Sequence, residues 1–331
     1  MISVIIPTYN SEKTIADCIG ALEKQATDQR FEIIVVDDGS KDKTAEAVKP
    51  FKTVRFFQMA HKGPAFARDF GAKMAKGEIL LFTDSDCAPE KNWIAEMAAP
   101  FSDKSVAGVS GTYRTNQKEI IARFAQYEIE ARHEKMARQE SIDFIGTFSA
   151  GYRKKIFSEF GGFDTSFSTS AGEDPELSFR ISEAGHRMVF APNAIVYHTH
   201  PDTVGKYLKQ KFRNSYWRVY VYAKRKKTFK GGHSYTPISA ILEAMFAGMS
   251  VLWLMVLISS MMAYKETNML SIISAFMALG SLLLTTVPSY SLIGHILKKD
   301  FAVGIMAPFI ILARAFATAF GITLGVVRRR I

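Results

Sequence analysis

Two uncharged apolar runs near the C-terminus constrain this chain most. Ala244 to Tyr264 and Met269 to Gly294 contain no Asp, Glu, Lys or Arg. Each exceeds the ~20 residues a helix needs to cross ~30 Å of hydrocarbon. Soluble cores seldom use two such runs in succession, because one face of a core helix normally meets water. The polar break Lys265-Glu266-Thr267-Asn268 makes the pair read as a helical hairpin. A third run, Phe301 to Val327, is long enough but carries Arg314 at its middle and Pro308 near its start. A charge at the bilayer centre costs ~3 kcal/mol or more. This run is therefore expected to span, re-enter or lie in the interface.

The 331 residues carry a net charge of +10, unevenly placed. Residues 1–200 are at −3, residues 201–237 at +9 and residues 238–331 at +4. The basicity belongs mainly to one short segment, not to a nucleic-acid-coating fold. Lys224-Arg225-Lys226-Lys227 precedes the first run and Lys298-Lys299 follows the second. The positive-inside rule puts both clusters, and residues 1–237, in the cytosol of a multi-pass membrane protein. A fully crossing third run would strand Arg328-Arg329-Arg330 on the opposite side, which favours a non-spanning segment. Two cysteines, Cys18 and Cys87, exclude a disulfide framework and fit a reducing compartment. Ile2 to Ile6 is too short an apolar run for a signal peptide.

The front of the chain alternates. Ile2–Ile6, Phe31–Val36, Val54–Gln58 and Glu78–Thr83 are short β-rich runs. Ser11–Lys24 (with Ser11 as N-cap), Asp42–Lys49 and Gly63–Ala75 between them read as helices. This spacing predicts βαβ units and a parallel sheet flanked by helices. Ligands of such sheets sit beyond the carboxyl ends of the strands, and that is where the acidic motifs fall.

The first strand ends in Pro7-Thr8-Tyr9-Asn10 and the second in Asp37-Asp38-Gly39-Ser40. Carboxylates there can accept hydrogen bonds from a base N–H or a ribose hydroxyl, and Gly39 allows a close turn. Taken alone, Asp-Asp-Gly-Ser is equally a helix cap. The fourth strand leads into Asp84-Ser85-Asp86. Two carboxylates at a strand end suit a hard divalent ion that fills its shell with phosphate oxygens and water. Glu173-Asp174 before Pro175 is by composition a good helix start. His198-Thr199-His200 follows a strand-like run, and alternation points both imidazoles to one face.

Taken in order, these residues resemble the family-2 glycosyltransferases. Ala67-Arg68-Asp69-Phe70-Gly71 is similar to the family's Ala-Arg-Asn-x-Gly helix, with Asp69 in place of Asn. Gly151-Tyr152-Arg153, Gly161-Gly162-Phe163-Asp164, Glu173-Asp174 with Leu177 and Arg180, and Val196-Tyr197-His198 follow the acceptor-side pattern. The likeness covers about residues 1–215. It implies an α/β fold of GT-A type, a Rossmann-like mixed sheet, followed here by C-terminal transmembrane helices. It also implies a donor pocket of Pro7, Thr8, Tyr9, Asp37, Asp38, Lys62, Arg68, Asp84 and Ser85 for a UDP- or GDP-sugar. Asp84, Asp86 and His198 would hold Mg²⁺ or Mn²⁺, with His200 a further candidate. Asp174 would be the general base of an inverting transfer, and Glu173 would orient it or raise its basicity.

Residues 206–220 interleave apolar and basic side chains at helical spacing, which reads as an interfacial helix on anionic lipid. The membrane runs that follow disfavour the rival reading of a nucleic-acid groove. Gln210-Lys211-Phe212-Arg213 resembles the Gln-x-x-Arg-Trp of processive polysaccharide synthases, but Asn214 replaces the Trp. Arg153, Gln210, Arg213 and Trp217 are the expected contacts to acceptor or lipid phosphate. The organisation expected is a catalytic domain at 1–200, a basic interfacial helix and linker at 201–237, and a membrane domain at 238–331. The membrane domain would hold spans at about 240–264 and 269–294 and the third segment at 301–327. The expected reaction moves a sugar to a polyprenyl-phosphate-linked saccharide at the cytosolic membrane face. Transfer to free polyprenyl phosphate, a nucleotidyltransferase and a silent scaffold are the alternatives.

Overall fold

The computed structural model describes residues 1–167, 171–224, 236–264 and 267–329. Arg225 to Lys227, Lys265, Glu266 and Arg330, used above to argue topology, lie outside the described residues.

Strands β1 (Ile2–Thr8), β2 (Phe31–Asp37), β3 (Val54–Gln58) and β4 (Ile79–Phe82) alternate with α1 (Ile15–Glu23), α2 (Thr44–Val48) and α3 (Pro64–Met74). After β5 (Ala88–Pro89) and α4 (Trp93–Ala98) come β6 (Val106–Arg114), α5 (Ile120–Met136), β7 (Ala150–Arg153), α6 (Lys154–Glu159), α7 (Glu173–Glu183) and β8 (Arg187–Tyr197). One eight-stranded sheet has the order β3-β2-β1-β4-β7-β6-β8-β5. The pairs β2–β3, β1–β2 and β1–β4 are parallel, as the alternation predicts. β7 runs antiparallel between β4 and β6, which makes the sheet mixed. β1 is buried along its whole length, because helices cover both faces of the sheet. One core layer packs β1 and β2 on α1 and α4 through Ile6, Ile19, Val35 and Trp93. The other packs the opposite face on α3 and α7 through Ile5, Ala72, Phe82 and Leu177.

The helix cap predicted at Ser11 moves. α1 begins at Ile15, and the Ser11 hydroxyl instead bonds Ser85 Oγ at 2.8 Å. A tertiary partner at the sheet edge has replaced the local cap.

The C-terminal part holds α8 (Val204–Lys224), α9 (Ile238–Tyr264), α10 (Met269–Leu284), α11 (Tyr290–Lys299) and α12 (Phe301–Arg329). Ile238–Tyr264, Met269–Lys299 and Phe301–Arg328 are long and apolar enough to cross a membrane. The second stretch is not one straight helix, since a 3-10 turn at Val287–Ser289, built on Pro288, separates α10 from α11. α12 is continuous through Pro308 and Arg314. The charge objection to the third run is met by pairing. The Arg314 guanidinium bonds both carboxylate oxygens of Glu243 on α9 (2.7 and 2.6 Å) and reaches Glu128 on α5.

The basic helix α8 departs from the interfacial reading. Its Phe212–Ser215–Val219 face packs on α12, where a Cβ at Gly321 would meet Ser215 Oγ at 2.2 Å and one at Gly325 would meet the Tyr216 carbonyl at 2.8 Å. The apolar side of α8 is taken by another helix, which leaves its polar side to line a cavity.

Candidate active site

A cavity of about 1880 Å³ runs from the carboxyl ends of β1, β2 and β4 to the C-terminal helices. Its wall is polarised. Strand ends and α7 contribute Asp38, Asp84, Asp86, Glu173 and Asp174, and α8 contributes Lys206, Lys211, Arg213 and Arg218, while α5 is mixed, with Glu128 and Glu134 beside Arg132 and Lys135.

At the first strand end, Pro7, Thr8 and Tyr9 line the cavity, and the Tyr9 ring stacks on His61 with centroids 4.4 Å apart. Asp38 is buried and held by the amides of Lys62 (2.7 Å) and Gly63 (2.8 Å) and by His61 Nδ1 (2.8 Å). Gly39 has φ +77°, and a Cβ there would press on the His61 amide at 2.9 Å, so this turn requires glycine. Asp37 does not serve as expected. Its oxygens accept from the Ser40 amide (3.0 Å), the Ser40 hydroxyl and Gln58 Nε2 (3.0 Å), and it is fully buried behind the turn. Asp37 builds the loop that presents Asp38. Lys62 acts through its amide, while its ammonium lies over the Phe66 ring at 4.6 Å. The residue that reaches the cavity is His61.

The Asp84-Ser85-Asp86 strand end is split in two. Arg68, buried on α3, donates to Asp84 Oδ1 (2.8 Å) and to Glu173 Oε1 (2.9 Å), so one guanidinium ties β4 to α7. Burial and flanking carboxylates act on it in opposite senses, and the carboxylates prevail, holding it firmly charged. Asp86 is more open and faces His198 Nε2 at 3.3 Å. Burial opposes ionisation of Asp86, yet His198 holds it below the usual carboxylate range. Burial likewise opposes charge on His198, and Asp86 outweighs it and raises the imidazole. Donor atoms of Asp86, Cys87 and His198 lie within 4.8 Å of one another, and His198 Nδ1 is buried without a partner among the described residues. Carboxylate and imidazole donors together fit a divalent ion. His200 turns away to Gln126 (2.9 Å), and burial lowers it to about 4.

Glu173 and Asp174 open α7. Burial raises both, with Asp174 adding to the rise of Glu173, while Arg68 and the Thr147 amide restrain Asp174. Thr147 N and Oγ1 each lie 3.3 Å from Asp174 Oδ2. Asp174 thus sits at the cavity wall as a half-buried carboxyl with a high proton affinity.

Of the four expected acceptor contacts, Gln210 and Arg213 line the cavity. Arg153 does not. Its guanidinium clamps the carbonyls of Phe101, Asp103 and Val106 at 2.7–2.8 Å, behind the sheet. Trp217 packs on Phe167 and Tyr220, one helix face away from the cavity. Spacing along α8 could not tell its α12 face from its cavity face. The cavity also gains Tyr113, Phe148, Thr147 and Arg132, none singled out by a motif.

Residues 3–161 match the family described as Glycosyl transferase family 2. The chain is 28% identical over 222 residues to glycosyltransferase AglE of Haloferax volcanii, covering 64% of this chain and 71% of that one. It is 25% identical to the pre-mycofactocin glycosyltransferase of Mycobacterium tuberculosis, covering 63% and 45%. The chain spans about half the length of several such relatives. The fold is similar to that of the mannosyltransferase PcManGT from Pyrobaculum calidifontis, solved with GDP-Man and Mn²⁺. That similarity has a TM-score of 0.60 at 20% identity and covers 97% of this chain and 86% of that one. The ordered strand-end motifs, the mixed sheet and the family match converge: residues 3–161 form a glycosyltransferase family 2 domain on a fold of GT-A type, in a chain that carries C-terminal helices long and apolar enough to cross a membrane.

Proposed function

We propose that the protein transfers one sugar, with inversion, from a UDP- or GDP-sugar to a lipid-linked acceptor at the cytosolic face of the cell membrane. The observation that carries this reading is the polarised cavity, acidic at the strand ends and basic along α8, opening towards apolar helices. Asp38 and the Tyr9–His61 stack would hold the nucleoside. Asp86 and His198, with the free oxygen of Asp84, would bind Mg²⁺ or Mn²⁺. Bound there, the ion would neutralise charge on the departing diphosphate. The PcManGT structure holds GDP-Man and Mn²⁺ on a similar fold, which supports this pairing.

Arg68 keeps Asp84 and Glu173 in place and supplies fixed positive charge beside the donor. Asp174 would take the proton of the acceptor hydroxyl, and burial raises its proton affinity above that of an ordinary carboxylate. Arg132, Arg213, Arg218 and Gln210 would receive an acceptor phosphate, with the anionic membrane surface beyond. A polyprenyl-phosphate-linked saccharide fits best, since its hydroxyl can meet Asp174 while its phosphate stays on the basic wall. Transfer to free polyprenyl phosphate is the second reading, favoured by the same basic wall.

The test is nucleoside-diphosphate release by the full-length protein in detergent. UDP- and GDP-sugars with Mn²⁺ would be supplied with and without a lipid extract from the source cells. Release that needs metal and rises with the extract is expected. Release that is unchanged by any lipid would overturn the lipid-linked acceptor, and its absence with every donor would overturn the enzyme reading.

A further inference from the structure

Tyr113 occupies the end of β6, where its ring stacks on Phe148 with centroids 3.4 Å apart and planes 22° apart. Both rings line the cavity. The backbone around Tyr113 is pinned, since its carbonyl accepts from Gln126 Nε2 at 3.1 Å and the Arg114 carbonyl accepts from the His198 amide at 3.0 Å. The His198 ring lies 5.1 Å away. Tyr113 lines one cavity with Asp84, Asp86 and Asp174, so it shares that space with the candidate metal-binding strand end and the candidate base. The hydroxyls of Tyr127, Tyr207 and Tyr222 bond Asp300, Glu128 and Thr236. That of Tyr113 bonds none of the described residues. A rigidly held phenol without a partner, among carboxylates that can only accept, is a donor awaiting an anion that arrives with the substrate.

We infer that the Tyr113 hydroxyl donates a hydrogen bond to the terminal phosphate oxygen of the donor diphosphate, the oxygen that departs with the electron pair of the broken glycosidic bond. The inference rests on the nucleotide-sugar reading above. In the transfer, the acceptor oxygen forms its bond to the anomeric carbon and its proton passes to Asp174. The anomeric C–O bond to phosphate breaks, and the electron pair stays on that phosphate oxygen. Tyr113 keeps its proton throughout and acts by stabilising charge that grows as the bond breaks. Phe148 fixes the ring so that no reorganisation is needed.

The product nucleoside diphosphate carries this same oxygen as a terminal anion, whereas a nucleoside monophosphate lacks it. Titration calorimetry with Mn²⁺ would compare UDP with UMP and GDP with GMP on the full-length protein and its Tyr113→Phe variant. The substitution keeps the stack on Phe148 and removes only the hydroxyl. Diphosphate binding should weaken about 10-fold, as expected for one hydrogen bond to a charged group, with monophosphate binding and melting temperature unchanged. Diphosphate binding as tight as in the wild type, or an equal loss for both nucleotides, would overturn the inference. A wild-type protein that binds no nucleotide would overturn the donor reading, and this inference with it.

Discussion

Arg68 and Glu173 meet at 2.9 Å in the interior, from helices α3 and α7 that are 105 residues apart in sequence. Deleting the cation takes its hydrogen bonds from both Glu173 and Asp84, at about 1–3 kcal/mol for each buried polar group left unpaired. Arg68→Met should therefore destabilise by that order and free Asp84 as well. Glu173→Gln should be far milder, because burial and Asp174 already favour the neutral form of Glu173. Denaturant titrations of the two variants would check this, and equal losses would mean that the guanidinium holds little beyond its own packing.

Asp174→Asn should lower transfer by about 10²-fold or more, the usual contribution of a positioned base. Nucleotide binding with metal should remain near wild type, because Arg68 holds Asp84 independently of Asp174. Parallel turnover and calorimetry separate the two effects. Equal loss of both would make Asp174 a structural residue.

Arg314 bridges Glu243 and Glu128, joining α9 and α12 to α5 of the front domain. Replacing Arg314 by Met alone should cost about 3 kcal/mol or more, since the buried Glu243 loses its cation among the described residues, while Glu128 keeps Lys211 and Tyr207. Adding Glu243→Gln should recover part of that loss, so the two substitutions should be non-additive in a double-mutant cycle. Thermal melts in detergent read the cycle, and strict additivity would refute direct coupling.

Asp69 stands where the family pattern has Asn, and it accepts from the Phe163 amide at 2.9 Å. Burial pushes its carboxyl up to about 6. A raised folded-state value means that the native chain holds a proton which the unfolded chain has lost, so stability falls as pH rises from about 4 through 6. Asp69→Asn keeps an acceptor for Phe163 and removes the charge. It should stabilise by about 1–2 kcal/mol above pH 7, with the gain fading below pH 5. Melting curves across that range would show it, and a pH-independent difference would contradict the burial argument.

Particular residues show how much could be read in advance. Strands β1 to β4, their parallel pairing and the strand-end positions of Asp38, Asp84 and Asp86 follow from local alternation and turn chemistry. Each signal is contained within a few neighbouring residues, so no distant contact is needed to see it. Asp37 and Asp38 are adjacent and chemically alike, yet only folding sets Asp38 in the cavity wall on Lys62, Gly63 and His61 and ties Asp37 behind it to Ser40 and Gln58.

The same division holds across the molecule. Composition alone marked three apolar runs, because the cost of leaving water scales with the side chains themselves. It could not reveal that Arg314 in the third run would find Glu243, that α8 would lay its apolar face on Gly321 and Gly325, or that Arg153 would clamp carbonyls behind the sheet. Those outcomes depend on which surfaces meet across long stretches of chain. Motif order pointed to the family matched by residues 3–161 and to the strand ends that line the cavity. Tertiary packing decided which charges pair, which remain open to a ligand, and that α8 brings its basic face to the cavity that Asp174 lines.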